Sequence, residues 1–508
     1  ERRKQYALPR ANPATTDTSY FGHPRGLSTL YFTEMWERFS YYGMRALLLL
    51  YMTAAVADGG LGFDAAQGGA IYGLYTSMAY MAALPGGWVA DRLIGQRKAV
   101  LYGGIIIASG HFSMALPSLA TFYLGLFLIV IGTGLLKGNV SVVVGQLYGK
   151  EDERRDAGFS IFYMGINLGA FLAPLVCGYL GQRVNWHVGF AAAGVGMTVG
   201  VVQYMFGGRY LGDAGLHPAP AASPAAAAAL KSKAMAWGLG FLAVAVVLGV
   251  GGYTGMLPIT AVGVADAAGV GLLLSTVIFF GWMFTSADWT PAERKRLVVV
   301  AVLFLASALF WSVFEQAGST LNLFADRDTN NSIFGIGFPS SWFQSVNSFF
   351  IFTLAPVFAW IWVSLARRNK EPSSPAKFVV GLVGVGLGFV VLIWPAQAAA
   401  AGLKASPLWL TLTYLLHTIG ELSLSPVGLS AMTRLAPARI AGLVMGVWFL
   451  GTSVGNFIGG RVGGLYESMA LPTLFGAVGG FAILAGLVLL AFVRPMRRLI
   501  EEGQERAA

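Results

Sequence analysis

Seven charged side chains lie deep inside long apolar stretches of this sequence, where an unpaired charge is expensive. They are Glu34, Glu37, Arg38, Arg45, Lys137, Glu315 and Glu421. An ionised side chain in the middle of a lipid bilayer costs about 2.5–3.5 kcal/mol on insertion scales, so these residues cannot face lipid. Carboxylates in such surroundings can hold and release protons, because burial and neighbouring charges decide whether they are ionised. Basic and acidic side chains together can also bind the two ends of a zwitterion.

The first apolar stretch, residues 27–56, carries four of these charges on one face. It is long enough to cross a bilayer as a helix. At about 100° per residue, one stripe about 100° wide holds Glu34, Glu37, Arg38, Tyr41 and Arg45. The stripe could be an ion-pair seam between helices, since Glu34 and Arg38 are spaced i,i+4. Charged residues inside membranes more often line a water-filled pathway, and we favour that interpretation.

The signs of the other charges segregate along the chain. The first half of the sequence carries three of these cations, which accompany Glu34 and Glu37. They are Arg38, Arg45 and Lys137, whereas the second half carries only Glu315 and Glu421. A cleft between the halves would therefore be basic on one wall and acidic on the other. Such a cleft fits a short zwitterion whose carboxylate meets Arg45 and Lys137 and whose amine meets a glutamate. Alternatively, these charges pair across the interface as gates, and both roles can hold at different stages of a cycle.

Aromatic and amide side chains near these charges complete a candidate recognition site. Asn167 and Asn347 lie deep in apolar stretches, where an amide can bind a peptide backbone. The candidate aromatic residues are Tyr41, Tyr42, Tyr80, Trp311 and Trp448. An aromatic residue in a membrane helix more often serves packing or the interface belt, but closeness to the charges favours a binding role. His417 lies one turn before Glu421 on the same face, and we interpret it as structural.

Composition places these residues in a polytopic helical membrane protein. Of 508 residues, 56% are hydrophobic and 11% are charged, and 67 glycines permit close helix packing. The net charge of +10 is better explained by basic cytoplasmic loops than by nucleic-acid binding. The single cysteine, Cys177, excludes an intramolecular disulfide and a thiol metal cluster. We find no nucleotide loop, metal cluster or nucleophile–base set, and therefore expect no cofactor, no metal and no enzyme activity.

Fourteen apolar segments approach the length that a bilayer requires. Of the 34 Lys and Arg residues, 27 fall in one set of alternate connecting segments, which includes both termini, and three lie within spans. The four on the opposite set are Arg183, Arg327, Lys404 and Arg461. The positive-inside rule therefore predicts fourteen transmembrane helices with both chain ends in the cytoplasm.

The fourteen segments divide into two groups of six with a pair between them. We expect a cytoplasmic N-terminal segment over 1–26, a six-helix bundle over 27–208, a cytoplasmic linker over 209–233, a two-helix insert over 234–286, a second six-helix bundle over 287–494 and a cytoplasmic tail over 495–508. The linker follows from its Ala-, Pro- and Ser-rich composition. This all-α integral membrane plan is the one that the major facilitator fold would give, with a central site between the halves.

Several motifs occur in a fixed order along the chain. EMWERFSYYG covers residues 34–43, GGWVADRLIGQRK covers 86–98, and FYMGINLG covers 162–169. Lys137, the FEQ of 314–316, the FQSVN of 343–347 and the GE of 420–421 fall on the matching helices. Together they resemble the signatures of the proton-dependent oligopeptide transporter (POT/PTR) family, bacterial type, a branch of the major facilitator superfamily. The chain departs from the pattern at Ala170, where a serine is usual, and in lacking the helix-2 histidine of animal members.

The resemblance implies a proton-coupled symporter that imports di- and tripeptides by alternating access. It also implies a multi-pass, monomeric protein of the bacterial inner membrane, whose partners are peptides, protons and the lipid bilayer, with protons as the coupling ion. Glu34, Glu37 and Arg38 would couple protons, with Glu315 as a further proton carrier. Arg45 and Glu315 would form a gate on the outer side.

The same resemblance assigns the substrate site. Lys137 and Glu421 would meet the two peptide termini and also form an interdomain salt bridge. The other implied substrate-binding residues are Arg45, Tyr41, Tyr42, Tyr80, Asn167, Trp311, Glu315, Asn347 and Trp448.

Three other functions remain open from the sequence. Relatives of the family carry nitrate or another small anion or zwitterion, although an anion has no need of an acidic wall. An intramembrane enzyme could use Glu315 and Glu421 as a carboxylate pair. A nutrient sensor is the third alternative, but we find no long signalling tail in this sequence.

Overall fold

The computed structural model describes residues 17–149, 152–436 and 441–505. The expected N-terminal segment 1–26 is therefore described only from residue 17, and the expected tail 495–508 only as far as residue 505. Basic residues behind the topology prediction that lie outside the described part are Arg2, Arg3, Lys4, Arg10, Lys150, Arg439 and Arg506. The structure is 81% helical, which agrees with the all-α prediction.

Eighteen α-helices follow one another in the described residues. The first nine are α1 Gly26–Thr53, α2 Ala65–Met81, α3 Ala83–Val89, α4 Gln96–Met114, α5 Leu119–Gln146, α6 Arg155–Ala173, α7 Tyr179–Arg183, α8 Trp186–Gly207 and α9 Pro224–Tyr253. The others are α10 Ala261–Thr285, α11 Pro291–Phe314, α12 Thr320–Arg327, α13 Phe343–Arg367, α14 Ser374–Val390, α15 Ile393–Ala400, α16 Pro407–Leu435, α17 Ala441–Gly463 and α18 Leu471–Glu505. A short antiparallel hairpin, β1 Ser332–Ile333 and β2 Ile336–Gly337, follows α12.

Nine helical segments of the described chain are long and apolar enough to cross a membrane. They are Leu119–Gln146, Arg155–Arg183, Trp186–Leu211, Pro224–Tyr253, Ala261–Thr285, Pro291–Arg327, Ser340–Arg367, Ser374–Ala400 and Leu471–Leu499. Helix α1 has the length, but four charged side chains interrupt its apolar character. The count of fourteen spans goes beyond this finding and stays a prediction.

Contacts between helices define two compact units, which we describe separately. The first comprises the described residues up to Tyr41, together with Ala82–Ala170 and Ala193–Ala245. The second comprises Tyr42–Met81, Phe171–Ala192 and the described residues from Val246 onward. The bounds of these units differ from those of the bundles expected over 27–208 and 287–494. The expected bundles stay a prediction.

In the first unit, buried apolar side chains of α1, α4, α5, α6 and α8 form one continuous core. Gly169 of α6 lets that helix approach α1 closely, because a Cβ at this position would lie 2.2 Å from the carbonyl oxygen of Met35. Small residues commonly allow such backbone approach between membrane helices. The close contact fixes how the charged stripe of α1 is oriented in this unit.

In the second unit, two helices change their winding next to candidate site residues. Helix α6 passes through a wide turn at Pro174–Gly178 before α7, and α11 tightens into a 3₁₀ turn at Glu315–Gly318 before α12. The proline removes a backbone donor, which explains the first change. In contrast, Pro356 and Pro426 lie inside the uninterrupted helices α13 and α16.

Local sequence signals account for several helix starts. Thr290 and Glu293 form a capping box at the start of α11, and Pro291 occupies the first helical position. Ser406 caps α16, which also begins with a proline. Helix α9 begins at Pro224, inside the segment expected as a linker, because its run of alanines has high helix propensity.

Candidate functional site

The first unit holds a compact group of three charged residues on α1. The Nε of Arg38 lies 3.1 Å from Oε1 of Glu34 and 2.5 Å from Oε2 of Glu37. All three residues are buried, with exposed fractions of 3% or less. One guanidinium therefore binds two buried carboxylates of the same helix.

Tyr41 and Lys137 lie beside this group in the same unit. The guanidinium of Arg38 lies 5.4 Å from the centre of the Tyr41 ring, and Nζ of Lys137 lies 6.0 Å from it. Both distances are within the range of cation–π attraction. The ring of Tyr41 is thus close to two cations, one from α1 and one from α5.

The second unit contains a buried ion pair between distant parts of the chain. Nη2 of Arg45 on α1 lies 3.0 Å from Oε2 of Glu315, and both side chains are 5% exposed. Nε of Arg45 donates a hydrogen bond of 2.9 Å to the hydroxyl of Tyr72 on α2. The guanidinium also lies 5.4 Å from the ring centre of Tyr42. The pair predicted as a gate is therefore in contact, with a tyrosine as a third member.

The 3₁₀ turn at the end of α11 creates the space that this ion pair occupies. A Cβ added to Gly318 would lie 1.9 Å from the Tyr72 hydroxyl and 2.9 Å from Nε of Arg45. The side chain of Asn322 on α12 donates a 2.9 Å hydrogen bond to the carbonyl oxygen of Ala46. These contacts fix the part of α1 around Arg45 and Ala46 against the turn that carries Glu315.

Glu421 lies in a second polar group of the same unit. Nδ2 of Asn347 on α13 donates hydrogen bonds of 3.0 Å to both Oε2 of Glu421 and the Thr418 hydroxyl on α16. The threonine in turn donates to the carbonyl oxygen of Tyr414. Asn347 therefore orients the carboxylate, whereas the sequence suggested only a role in binding a ligand.

The two remaining tryptophan candidates are buried in the second unit. The Trp311 ring packs at 5.2 Å from Phe310 and 5.4 Å from Phe314, measured between ring centres. Its Nε1 has no hydrogen-bond partner among the described residues, which is unusual for a buried donor. Trp448 rests on Gly428, where a Cβ would come within 2.2 Å of the indole ring.

The other predicted residues vary in exposure and role. Tyr42 and Tyr80 are half-buried in the second unit. Asn167 is buried in the first unit and donates a 3.1 Å hydrogen bond to the carbonyl oxygen of Tyr163 on its own helix. Lys137 belongs to the first unit and Glu421 to the second, so their proposed salt bridge remains a proposal.

His417 is fully buried and packs between aromatic rings. Its ring centre lies 6.0 Å from that of Phe314 and 5.6 Å from that of Phe389. This environment agrees with the structural role that we expected. Within the described ranges, three or more metal-ligating side chains do not come together anywhere.

Sequence reasoning missed three polar partners of the site. The hydroxyl of Tyr72 accepts a hydrogen bond from Arg45. Thr418 and Glu421 both accept hydrogen bonds from the side-chain amide of Asn347. Asn322 donates a hydrogen bond to the backbone of Ala46 in α1. Thr418 lies almost one helical turn before Glu421, so helical spacing could have suggested it. Tyr72 and Asn322 contact residues far away in the sequence, and local pattern carries no signal for such contacts.

Comparison with known proteins identifies the family of this chain. A family model described as PTR2, POT family, matches residues 97–477. The chain belongs to the POT family. Over 506 residues it is 42% identical to the peptide transporter YePEPT of Yersinia enterocolitica subsp. palearctica serotype O:3 (strain YE-P4), with 96% of this chain and 98% of that protein covered.

Two further similarities extend over nearly the full length. The chain is 36% identical over 501 residues to the di-/tripeptide transporter of Lactococcus lactis subsp. cremoris, covering 96% of this chain and 98% of that protein. A crystal structure of the peptide transporter POT in complex with sulfate matches with a TM-score of 0.89 at 44% identity, covering 94% and 96% of the two chains. As a POT family member, the protein is a membrane transporter and not an enzyme.

Proposed function

We propose that this protein is a proton-coupled symporter that imports di- and tripeptides by alternating access. Proton coupling is inherent to the POT family, and relatives named as peptide and di-/tripeptide transporters support the substrate class. The observation that carries the proposal is the pair of buried carboxylates, Glu34 and Glu37, that share the guanidinium of Arg38. Burial disfavours an ionised carboxylate, so these two side chains have a physical reason to take up a proton.

Protonation of this group changes how α1 is held. With both carboxylates ionised, Arg38 is bound on two sides and its contacts are strongest. A proton on Glu37 or Glu34 neutralises that carboxylate and weakens its contact with Arg38. The proton thereby favours one conformation of the transporter over the other, because it binds the two conformations with different affinity.

The Arg45–Glu315 pair acts as a gate on the outer side of the substrate site. It joins α1, from the first half of the sequence, to the turn after α11, from the second. Alternating access requires such contacts to form on one side while they are broken on the other. Glu315 can take a proton when the gate opens, because its cationic partner then leaves.

The peptide lies between the charged residues of the two bundles. Its carboxylate meets Lys137, and its amine meets Glu421, which Asn347 orients by a 3.0 Å hydrogen bond. The unpartnered indole N–H of Trp311 is available for a peptide carbonyl. Further substrate contacts come from Arg45, Tyr41, Tyr42, Tyr80, Asn167, Glu315 and Trp448.

The proposed setting is the bacterial inner membrane. The chain crosses it fourteen times in the major facilitator arrangement of two six-helix bundles and a two-helix insert, with both termini in the cytoplasm. The asymmetry of 27 against four Lys and Arg residues supports this orientation. The protein works as a monomer, with the substrate pathway inside a single chain.

The direct experiment is uptake of labelled dialanine into proteoliposomes that contain the purified protein. We expect accumulation of the dipeptide when the outside is made acidic and none when the pH is equal on both sides. Empty liposomes and added protonophore are the controls. Labelled nitrate is tested alongside, and uptake of nitrate without uptake of dialanine would contradict the proposal.

A further inference from the structure

Helices α2 and α17 of the second unit pack backbone to backbone, and glycines make this possible. A Cβ added to Gly69 would lie 2.5 Å from the carbonyl oxygen of Gly460, and one added to Gly460 would lie 2.3 Å from the Cα of Gly73. Further along, the hydroxyls of Ser77 and Ser453 lie 2.7 Å apart, and both residues are fully buried. We call the contact that these five residues form the glycine seam.

Glu467 lies just beyond α17 and closes one end of the glycine seam. Its Oε2 accepts a 2.9 Å hydrogen bond from the backbone N–H of Ala65, the first residue of α2. Its Oε1 lies 2.5 Å from Nη1 of Arg327, the last residue of α12. Because the first N–H groups of a helix carry partial positive charge, both partners stabilise an ionised carboxylate.

The surroundings of Glu467 keep its carboxylate ionised and hold Arg327 in place. Burial alone would raise the pKa of the Glu467 carboxyl, but the Ala65 N–H and the Arg327 guanidinium lower that pKa below its ordinary value. Lys404 donates a hydrogen bond to the carbonyl oxygen of Arg327 and so anchors the end of α12. The carboxylate is therefore charged at neutral pH and held between two helices.

We propose that Glu467 is a latch residue of the transport cycle, whose contacts with Ala65 and Arg327 hold the glycine seam closed. The contact with Ala65 joins the two bundles and breaks each time the substrate site opens to the outside, whereas Arg327 keeps the Glu467 carboxylate ionised and in place. The inference rests on the proposed function, which assigns α2 to one bundle and α12 and α17 to the other. In sequence, α2 comes from the first half of the chain, and α12 and α17 come from the second.

The contacts of Glu467 can break and re-form more easily than the buried Arg45–Glu315 ion pair can. The side chains of Arg327 and Glu467 are 32% and 40% exposed, whereas those of Arg45 and Glu315 are both 5% exposed. Water can replace the Ala65 N–H as a partner of the partly exposed Glu467 carboxylate at little cost, but a buried charge that loses its partner is left uncompensated. Glu467 therefore adjusts how often the seam opens rather than preventing its opening.

A thiol inside the glycine seam reports how often the seam opens. Ser77→Cys in a Cys177→Ser background places that thiol at a fully buried position, and a membrane-impermeant maleimide is added from the outside. We expect Glu467→Gln to raise the labelling rate about two- to five-fold, the effect typical of a partly exposed ion pair. Arg327→Gln should raise it by no more than Glu467→Gln does, and the double variant should add nothing further, because Arg327 acts on the seam only through Glu467.

Glu371→Gln is the matched control variant. Glu371 lies 2.6 Å from Lys377, and its side chain is 44% exposed, but this pair joins the loop after α13 to α14. Labelling of the Glu467→Gln protein at the parent rate, or equal acceleration by Glu371→Gln, would overturn the proposal. Labelling needs no peptide, so this outcome is distinct from a failure of dialanine uptake, which would refute the proposed function instead.

Discussion

At the scale of single residues, the buried charges of this transporter have specific partners. Arg38 binds two carboxylates of its own helix, whereas Arg45 binds Glu315 from a distant helix and the hydroxyl of Tyr72. Removing one member of a buried pair typically costs about 3–5 kcal/mol, because the other charge is left uncompensated. Loss of a single partner from any of these contacts is therefore expected to destabilise the protein.

Tyr72→Phe tests whether the tyrosine holds Arg45 in place. The change removes the hydroxyl that accepts the hydrogen bond from Nε of Arg45, and Nε then stays buried without that partner. We expect the free energy of unfolding to fall by about 1–3 kcal/mol, measured as a lower thermal unfolding temperature in detergent. Tyr102→Phe, at a position that is 46% exposed, is the control. Equal stability of the Tyr72→Phe protein and the parent would contradict this role.

The sequence allowed some of these contacts to be predicted. Helical spacing placed Glu34, Glu37 and Arg38 on one face, and the structure brings their side chains together. The Arg45–Glu315 pair followed from family resemblance, because no local pattern links residues so far apart. The hydrogen bond from Asn347 to Glu421 was not predicted, since it depends on how α13 and α16 pack.

At the scale of elements, apolar runs predicted where helices lie better than how they are wound. A run of apolar residues looks the same whether the helix is continuous or tightens, so the 3₁₀ turn at Glu315–Gly318 was not foreseen. The alanine-rich segment was expected as a linker because of its prolines, yet helix α9 begins at Pro224. A proline at a helix start is compatible with the helix that follows, which accounts for this difference.

The pair of helices expected as an insert is the element about which the sequence said least. Its α10 packs on α17 in the second unit, where Gly269 leaves room for the ring of Phe457. Asp266 of α10 also pairs with Arg461 of α17. Both contacts lie between helices far apart in sequence, and they give the insert a fixed place against a helix of the glycine seam.

At the scale of the whole molecule, the proposed direction of transport depends on which loops face the cytoplasm. Single cysteines at Asp58 and Lys404, in a Cys177→Ser background, should react with an impermeant thiol reagent added to intact cells. Cysteines at Asp152 and Pro372 should react only after the membrane is opened, because the basic residues near them are retained inside. Labelling of the cysteine at position 152 in intact cells would overturn the proposed topology.

The central claim is that the charged group on α1 couples proton movement to peptide movement. Glu37→Gln tests it most directly, because glutamine keeps the shape and hydrogen bonding of the side chain but cannot change charge. We expect the Glu37→Gln protein in proteoliposomes to lose dialanine accumulation under a pH gradient, since the proton no longer favours either conformation. Exchange of labelled for unlabelled dialanine across the membrane, at matched protein levels, should continue. If the Glu37→Gln protein still concentrates dialanine as the parent does, α1 is structural and the coupling assignment is wrong.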